Sequence, residues 1–353
     1  MFDLGAKLSI RDQAAFAKRL AFLIRADVPI MESLKMIKKQ TKSRARAKVM
    51  GQILDDVTSG QFLSASLAKH RNTFGTFAIN IIKVGEEGGI LDQNLEYLAE
   101  ELKKRQELKK KILGAMVYPA FITAATIGVS VMITVFIFPK LMPIFQSVGA
   151  NLPLTTRLLM GTSTFIGNYG FYIFMGLVAA MVGLTVIYKK IKPFNLALNR
   201  ILLGMPIFGQ LYQSYHMANL CRTFGLLLNC QIGIINAANI TADATANLLY
   251  KREINALADE ITKGRKISLY LEQRTALFPE MVSQMTAIGE TAGNLSQTLL
   301  YLSDHYESEV NDMTRNLSNS LEPILLVVMG VVVGFVAVSV ISPIYELTQN
   351  LHP

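Results

Sequence analysis

Four histidines, two cysteines and a doubled glutamate phrase are the residues of this chain whose types could carry chemistry. His70, His216, His305 and His352 are scattered without the spacing of a ligand pair and without a companion cysteine, so no metal site is expected. Cys221 and Cys230 stand nine residues apart, which on one helix places them on opposite faces. They read as small apolar packing residues. A phosphate-binding loop needs a glycine-rich turn ending in Gly-Lys-Ser or Gly-Lys-Thr, whose lysine meets the terminal phosphates. GMPIFGQL, residues 204–211, keeps two glycines at that separation but has Gln210 in the lysine's place. There is no Gly-x-Ser-x-Gly elbow for an activated serine. No catalytic, cofactor-binding or metal-binding residue is therefore expected, and no cofactor.

The phrase VGEEGGILDQNLEYL is echoed further on as IGETAGNLSQTLLYL. Gly85 and Gly89, with Gly289 and Gly293, would let the chain leave one helix and begin another through conformations closed to side-chain-bearing residues. Glu86 and Glu290 would then lie beside the start of the next helix, whose free amides and dipole favour a carboxylate. The corner is read first as a stiff structural joint, with presentation of Glu86 or Glu290 to a partner as the alternative. A second candidate is KKQTKSRARAK, residues 38–48, which contains no acidic residue. Lys42, Arg44, Arg46 and Lys48 could dock an acidic protein surface or anionic membrane lipid, each charge contributing modestly and losing force with salt. The third candidate is Gly330 and Gly334, four apart and therefore on one helix face, separated by three valines. Such a groove admits a second helix, within one chain or between the chains of a homo-oligomer.

These residues need elements to hold them. Three stretches free of Asp, Glu, Lys and Arg, residues 117–138, 168–188 and 323–342, are each long enough to cross a bilayer core, which takes roughly 20 residues. They explain the positive mean hydropathy of +0.34, because the remaining segments are charged and amphipathic. Lys103, Lys104, Arg105, Lys109, Lys110 and Lys111 precede the first span, and Lys189, Lys190 and Lys192 follow the second. Residues 139–167 hold only Lys140 and Arg157, and no Lys or Arg follows Arg315. Positive charge marks the cytoplasmic side, so the N-terminus is expected inside, with 139–167 a loop and 343–353 a tail on the outer side. The net charge of +9 is partly explained by these flanks; without an aromatic-rich sheet pattern it does not indicate nucleic acid.

The chain also repeats itself at an offset of 204 residues. Residues 51–98 match residues 255–302 at 14 of 48 positions, against roughly three expected from ordinary usage. Asp55, Thr58, Gly60, Ser64, Leu67 and Phe74 recur as Asp259, Thr262, Gly264, Ser268, Leu271 and Phe278, and Pro119 and Pro139 recur as Pro323 and Pro343. The repeating unit is a soluble bundle plus the span that follows it, and the middle span returns the chain. Apolar spacing of three and four predicts helices throughout. The expected fold is all-α: a polytopic membrane protein with two tandem homologous cytoplasmic helical bundles, residues 1–113 and 195–318, and three transmembrane helices. Parallel repeats differ from the inverted repeats of many transporters, and uncharged spans offer no substrate path.

On these residues the chain resembles the inner-membrane platform proteins of type IV pilus and type II secretion machines, the type II secretion F family. The resemblance covers nearly the whole length and is carried by LIRADVPIMESL, VGEEGGIL, IGETAGNL, Pro119, Pro323 and the three spans. Its second repeat departs from the family phrase at NCQIGIINAANI. The resemblance implies a non-enzymatic inner-membrane scaffold for assembly of pilin or pseudopilin subunits. It also implies a cytoplasmic hexameric assembly ATPase and other inner-membrane assembly proteins as partners.

Overall fold

The computed structural model describes residues 8–140, 143, 154–206 and 208–350. Among these residues every regular element is a helix. The first repeat forms α1 (Ile10–Arg25), α2 (Ile30–Gln40), α3 (Arg44–Thr58), α4 (Leu63–Lys69), α5 (Arg71–Phe74), α6 (Thr76–Gly88) and α7 (Leu91–Ala115). α8 (Val117–Met132) and a π-helical turn (Ile133–Ile137) continue the first span, α9 (Leu154–Lys190) contains the second, and α10 (Lys192–Gly204) follows. The second repeat forms α11 (Phe208–Asn229), α12 (Ile234–Ala244), α13 (Leu248–Thr262), α14 (Ile267–Glu272), α15 (Glu280–Ala292) and α16 (Leu295–Asn350).

The offset of 204 is written into the backbone. Adding 204 to the bounds of α2 and α3 returns those of α12 and α13, and α6 maps onto α15 in the same way. The only non-glycine residues with positive φ among the described residues are Asp27 at 58° and Gln231 at 61°, again 204 apart. Each closes the turn after the first helix of its repeat, where the next amide returns to a carbonyl five residues earlier: Val28 to Leu23 and Ile232 to Leu227. Gly60 and Gly264, at φ of 88° and 79°, end the third helix of each repeat in a left-handed conformation that only glycine enters without cost.

The described residues of 8–111 and 195–312 form one compact unit, so the two repeats share a single body. Their cores are lined by the apolar stripes of the helices, including Leu20, Leu34, Ile53, Leu67, Ile81 and Leu95 in the first repeat and Met217, Leu227, Ala238, Leu257 and Leu302 in the second.

The described residues of 112–194 and 313–350 form the other unit. Three helices are long and apolar enough to cross a membrane, and their outer faces expose large apolar side chains such as Phe121, Phe171, Phe174, Leu326 and Val331. Two hydroxyl bonds tie these helices together where water is scarce. The π turn removes the carbonyl of Thr134 from the regular ladder, and Ser163 Oγ donates to it at 2.6 Å. Thr156 Oγ1 donates to the carbonyl of Ser339 at 2.9 Å.

Several boundaries differ from the sequence expectation. Residues 154–167, expected as loop, belong to α9, because only Arg157 interrupts an otherwise uncharged stretch there. Residues 343–350, expected as tail, continue α16. Residues 141–142, 144–153 and 351–353 lie outside the described residues. Pro119 follows a break at Met116, whereas α16 passes through Pro323 unbroken. The offset pairs Gly114, a weak helix former, with Ser318, which is consistent with the break in the first repeat alone.

Candidate functional site

Glu86 and Glu290 occupy the same place in their repeats, and it is not the place expected. Each lies in the last turns of its own helix, α6 or α15, where a carboxylate gains nothing from the dipole. It reaches instead to the N-terminus of a short helix 23 residues earlier. Glu86 accepts from the amides of Leu63 and Ser64 at 2.5 and 2.8 Å. Glu290 accepts from the amides of Ile267 and Ser268 at 2.6 and 3.2 Å, and from Ser268 Oγ at 2.5 Å. α4 and α14 have no side-chain cap of their own, so the distant carboxylate satisfies two orphan donors in each. The glycines divide their work. Gly89 and Gly293 have φ of 68° and 71° and end their helices in the left-handed region. Gly85 and Gly289 lie inside the helices, where a Cβ would meet Leu91 Cα at 2.9 Å and Thr298 Oγ1 at 2.8 Å. They permit the following helix to cross closely; they do not make the turn.

The basic segment is less uniform than its composition. Arg46 Nη1 pairs with Asp12 at 2.9 Å, an acid supplied by α1 that no local reading reveals. Burial works to raise the Asp12 carboxyl, but hydrogen bonds from Ser9 and the charge of Arg46 hold it below the usual range. Lys42, Arg44 and Lys48 are exposed. Of the four, Lys42 and Arg46 line a cleft of about 290 Å³, together with Phe16, Arg19, Ile37 and Met50.

Gly330 and Gly334 are open: a methyl at either would meet nothing within 4 Å. Among the described residues α16 buries Thr314, Val336 and Ser339 in this unit, and the glycine face is not part of that packing.

A charged cluster at the seam between the repeats is the largest feature that sequence reading missed. The Glu101 side chain of α7 is 0% exposed and the Arg222 side chain of α11 is 7% exposed. Glu101 pairs with Arg105 and lies 3.7 Å from Arg222 Nε. Arg105 also donates to Thr223 and sits over the Phe77 ring at 4.8 Å. Arg222 donates to Ser303 Oγ at 2.8 Å and Asp304 at 3.1 Å, and pairs with Glu307. Ser303 Oγ in turn donates to the Ala218 carbonyl at 2.9 Å. Lys104 with Asp304 at 3.4 Å and Arg71 with Asp243 at 3.0 Å extend the seam to the surface. The signal was present: Arg222 is a lone cation within a run whose neighbours Leu220, Cys221, Thr223 and Phe224 are all buried.

The remaining groups are placed for packing. His216 is enclosed by Tyr212, Tyr215 and Tyr250, and burial lowers its pKa to about 4. Burial pushes Cys221 up to about 12 and Cys230 up to about 11, which keeps both as protonated thiols of low reactivity. Among the described residues no three His, Cys, Asp or Glu residues are grouped to hold a metal.

The family described as type II secretion system (T2SS), protein F, matches residues 16–139 and again residues 220–343. The type IV pilus assembly protein PilC of Pseudomonas aeruginosa is 29% identical over 98% of this chain and 92% of its own length. PilC of Thermus thermophilus is 30% identical over 97% of this chain and 84% of its own. The type II secretion system protein F of Pseudomonas aeruginosa is 28% identical over 97% and 84%.

Proposed function

We propose that this chain, which belongs to the type II secretion system protein F family, is the inner-membrane platform of a type IV pilus assembly or type II secretion machine. It works by binding and carries out no catalysis. The two-repeat unit faces the cytoplasm and receives a hexameric assembly ATPase. The spans, with the N-terminus inside and the C-terminus in the periplasm, guide pilin or pseudopilin subunits into the growing filament beside other assembly proteins. The observation that carries the reading is the duplication itself. Two copies of one bundle, each followed by a span, put both soluble parts on one side only if a middle helix returns the chain, and the lysine-rich flanks agree. Similarity along nearly the full length to relatives named for pilus assembly and for secretion supports the same role.

Within this reading Lys42, Arg44 and Lys48 dock an acidic surface of the ATPase, and the open face of Gly330 and Gly334 meets a neighbouring membrane helix. The test is genetic. Deletion of the gene abolishes surface filaments or secretion, and the full chain restores them. The triple change of Lys42, Arg44 and Lys48 to Ser restores the protein to the membrane at normal abundance but reduces assembly several-fold. Normal assembly by the triple variant removes the docking role, and normal assembly by the deletion strain removes the platform itself.

A further inference from the structure

An open pocket of about 740 Å³ in repeat 1 has a lining that includes Leu8, Ile10, Arg11, Arg46, Gln106 and Lys109. Three different helices each contribute one cation to it: Arg11 from α1, Arg46 from α3 and Lys109 from α7. No residue of the lining is acidic. Asp12, beside Arg11 in sequence, is engaged elsewhere, by Arg46 at 2.9 Å and by Ser9 Oγ at 2.7 Å. Arg11 and Lys109 are exposed, and neither has an acidic residue three or four positions away with which a helix could pair it. The seam is different, since Arg71, Arg105 and Arg222 each have a carboxylate there. Like charges facing one cavity favour an anion between them.

The second repeat shows that the bundle itself does not require these groups. At the offset of 204, Arg11, Arg46, Gln106 and Lys109 become Tyr215, Tyr250, Val310 and Met313. Tyr250 and Val310 are fully buried, so the same corner is built there from packed apolar and aromatic side chains. Repeat 1 alone keeps an unfilled, basic pocket. It also lies close to lipid along the chain: Lys109 stands eight residues (117 − 109) before the first span, about 12 Å of helix.

We infer that this pocket holds the headgroup of an anionic phospholipid from the leaflet that the first span enters. Arg11 and Lys109 bracket the phosphodiester charge, and Leu8 and Ile10 supply apolar surface for the glycerol backbone. Arg46 stays with Asp12 and adds the field of a third cation. The inference rests on residues 117–138 forming a span and not on the platform role, so either can fail alone.

The experiment uses the full-length chain, purified and delipidated in detergent, then titrated with phosphatidylglycerol or with phosphatidylethanolamine, which has the same phosphodiester but no net charge. Native mass spectrometry counts the lipids retained. One phosphatidylglycerol is expected to stay bound under conditions that remove phosphatidylethanolamine. Arg11→Ser with Lys109→Ser weakens its retention about tenfold. Lys110→Ser with Lys111→Ser removes as many charges nearer the span but outside the pocket, and leaves retention unchanged. Arg11→Lys with Lys109→Arg keeps both charges and also keeps the lipid. Full retention by the Arg11 and Lys109 serine variant overturns the inference, as does an equal loss in the Lys110 and Lys111 variant or equal retention of phosphatidylethanolamine. Loss of lipid by the charge-keeping pair overturns it too, because the effect would then come from packing. Displacement of the lipid by an equal concentration of inorganic phosphate would make the pocket a site for a soluble anion and likewise overturn the assignment to lipid.

Discussion

The two repeats share a backbone and differ in what they do with it. At most of their corners they agree, down to the left-handed residues at Asp27 and Gln231 and the distant carboxylate caps of Glu86 and Glu290. They diverge on one face. The helix that begins repeat 2 buries Arg222 in an ion cluster, while the same position in repeat 1 is exposed Lys18. The lesson is that the residues holding a helical corner are fixed by local geometry and copied. The residues that join one corner to another are free to change after duplication.

The largest expected effect separates the two repeats. Removing one partner of a buried charge cluster strands the other, so Arg222→Met lowers the unfolding free energy of the two-repeat body by about 3–5 kcal/mol. Lys18→Met, at the matching surface position, changes it by about 0.5 kcal/mol or less. Denaturant unfolding of the full chain in detergent, followed by helix signal, measures both. Equal effects would mean that the seam is not what distinguishes the repeats.

The next effect should instead be shared. Glu86→Ala and Glu290→Ala each remove charge-assisted bonds to two amides and leave them without a partner, at a cost of about 2–3 kcal/mol in either repeat. The same unfolding measurement applies. A cost in only one repeat would break the equivalence of the corners.

A smaller effect depends on pH. His216 stands where repeat 1 has Asp12 (216 − 204), and its pKa is lowered from 6.5 to about 4 by burial. The unfolded chain therefore binds a proton that the folded chain refuses. Stability is full above pH 6.5 and falls as pH drops toward 4, by about 2 kcal/mol after allowance for partial exposure. Asp12 is held below its ordinary value, so its contribution is lost only at lower pH, as the carboxyl protonates. Thermal unfolding between pH 7 and 4 should show the loss, and His216→Phe should flatten it. A loss that persists in His216→Phe assigns the acid sensitivity elsewhere.

Much of this fold was legible because its punctuation is chemical. Glycine at 60, 89, 264 and 293 marks conformations that other residues avoid, and uncharged runs of roughly 20 residues mark spans. Asp27 and Gln231 were invisible, since nothing in an aspartate or a glutamine announces a left-handed turn. Glu86 was legible as a helix-end carboxylate but not as the cap of an earlier helix, because that partner is set by how α4 and α6 pack. The seam was hidden for a related reason. Arg105 and Thr223 meet across 118 residues of sequence, and neither recurs at the offset, so the repeat that exposes the corners conceals what joins them. Asp12 as the partner of Arg46 is likewise a tertiary fact, and it reduces the free cations of residues 42–48 from four to three.

The central claim is that this chain serves as a platform through binding alone. Its most direct test is affinity purification of the full-length tagged chain from detergent-solubilised membranes, with identification of co-purifying proteins and an ATP hydrolysis assay on the eluate. The account predicts that an assembly ATPase and pilin-like subunits come with the chain, and that hydrolysis vanishes once the ATPase is washed away at high salt. Hydrolysis that stays with the stripped chain, or recovery of the chain with no assembly component, would contradict it.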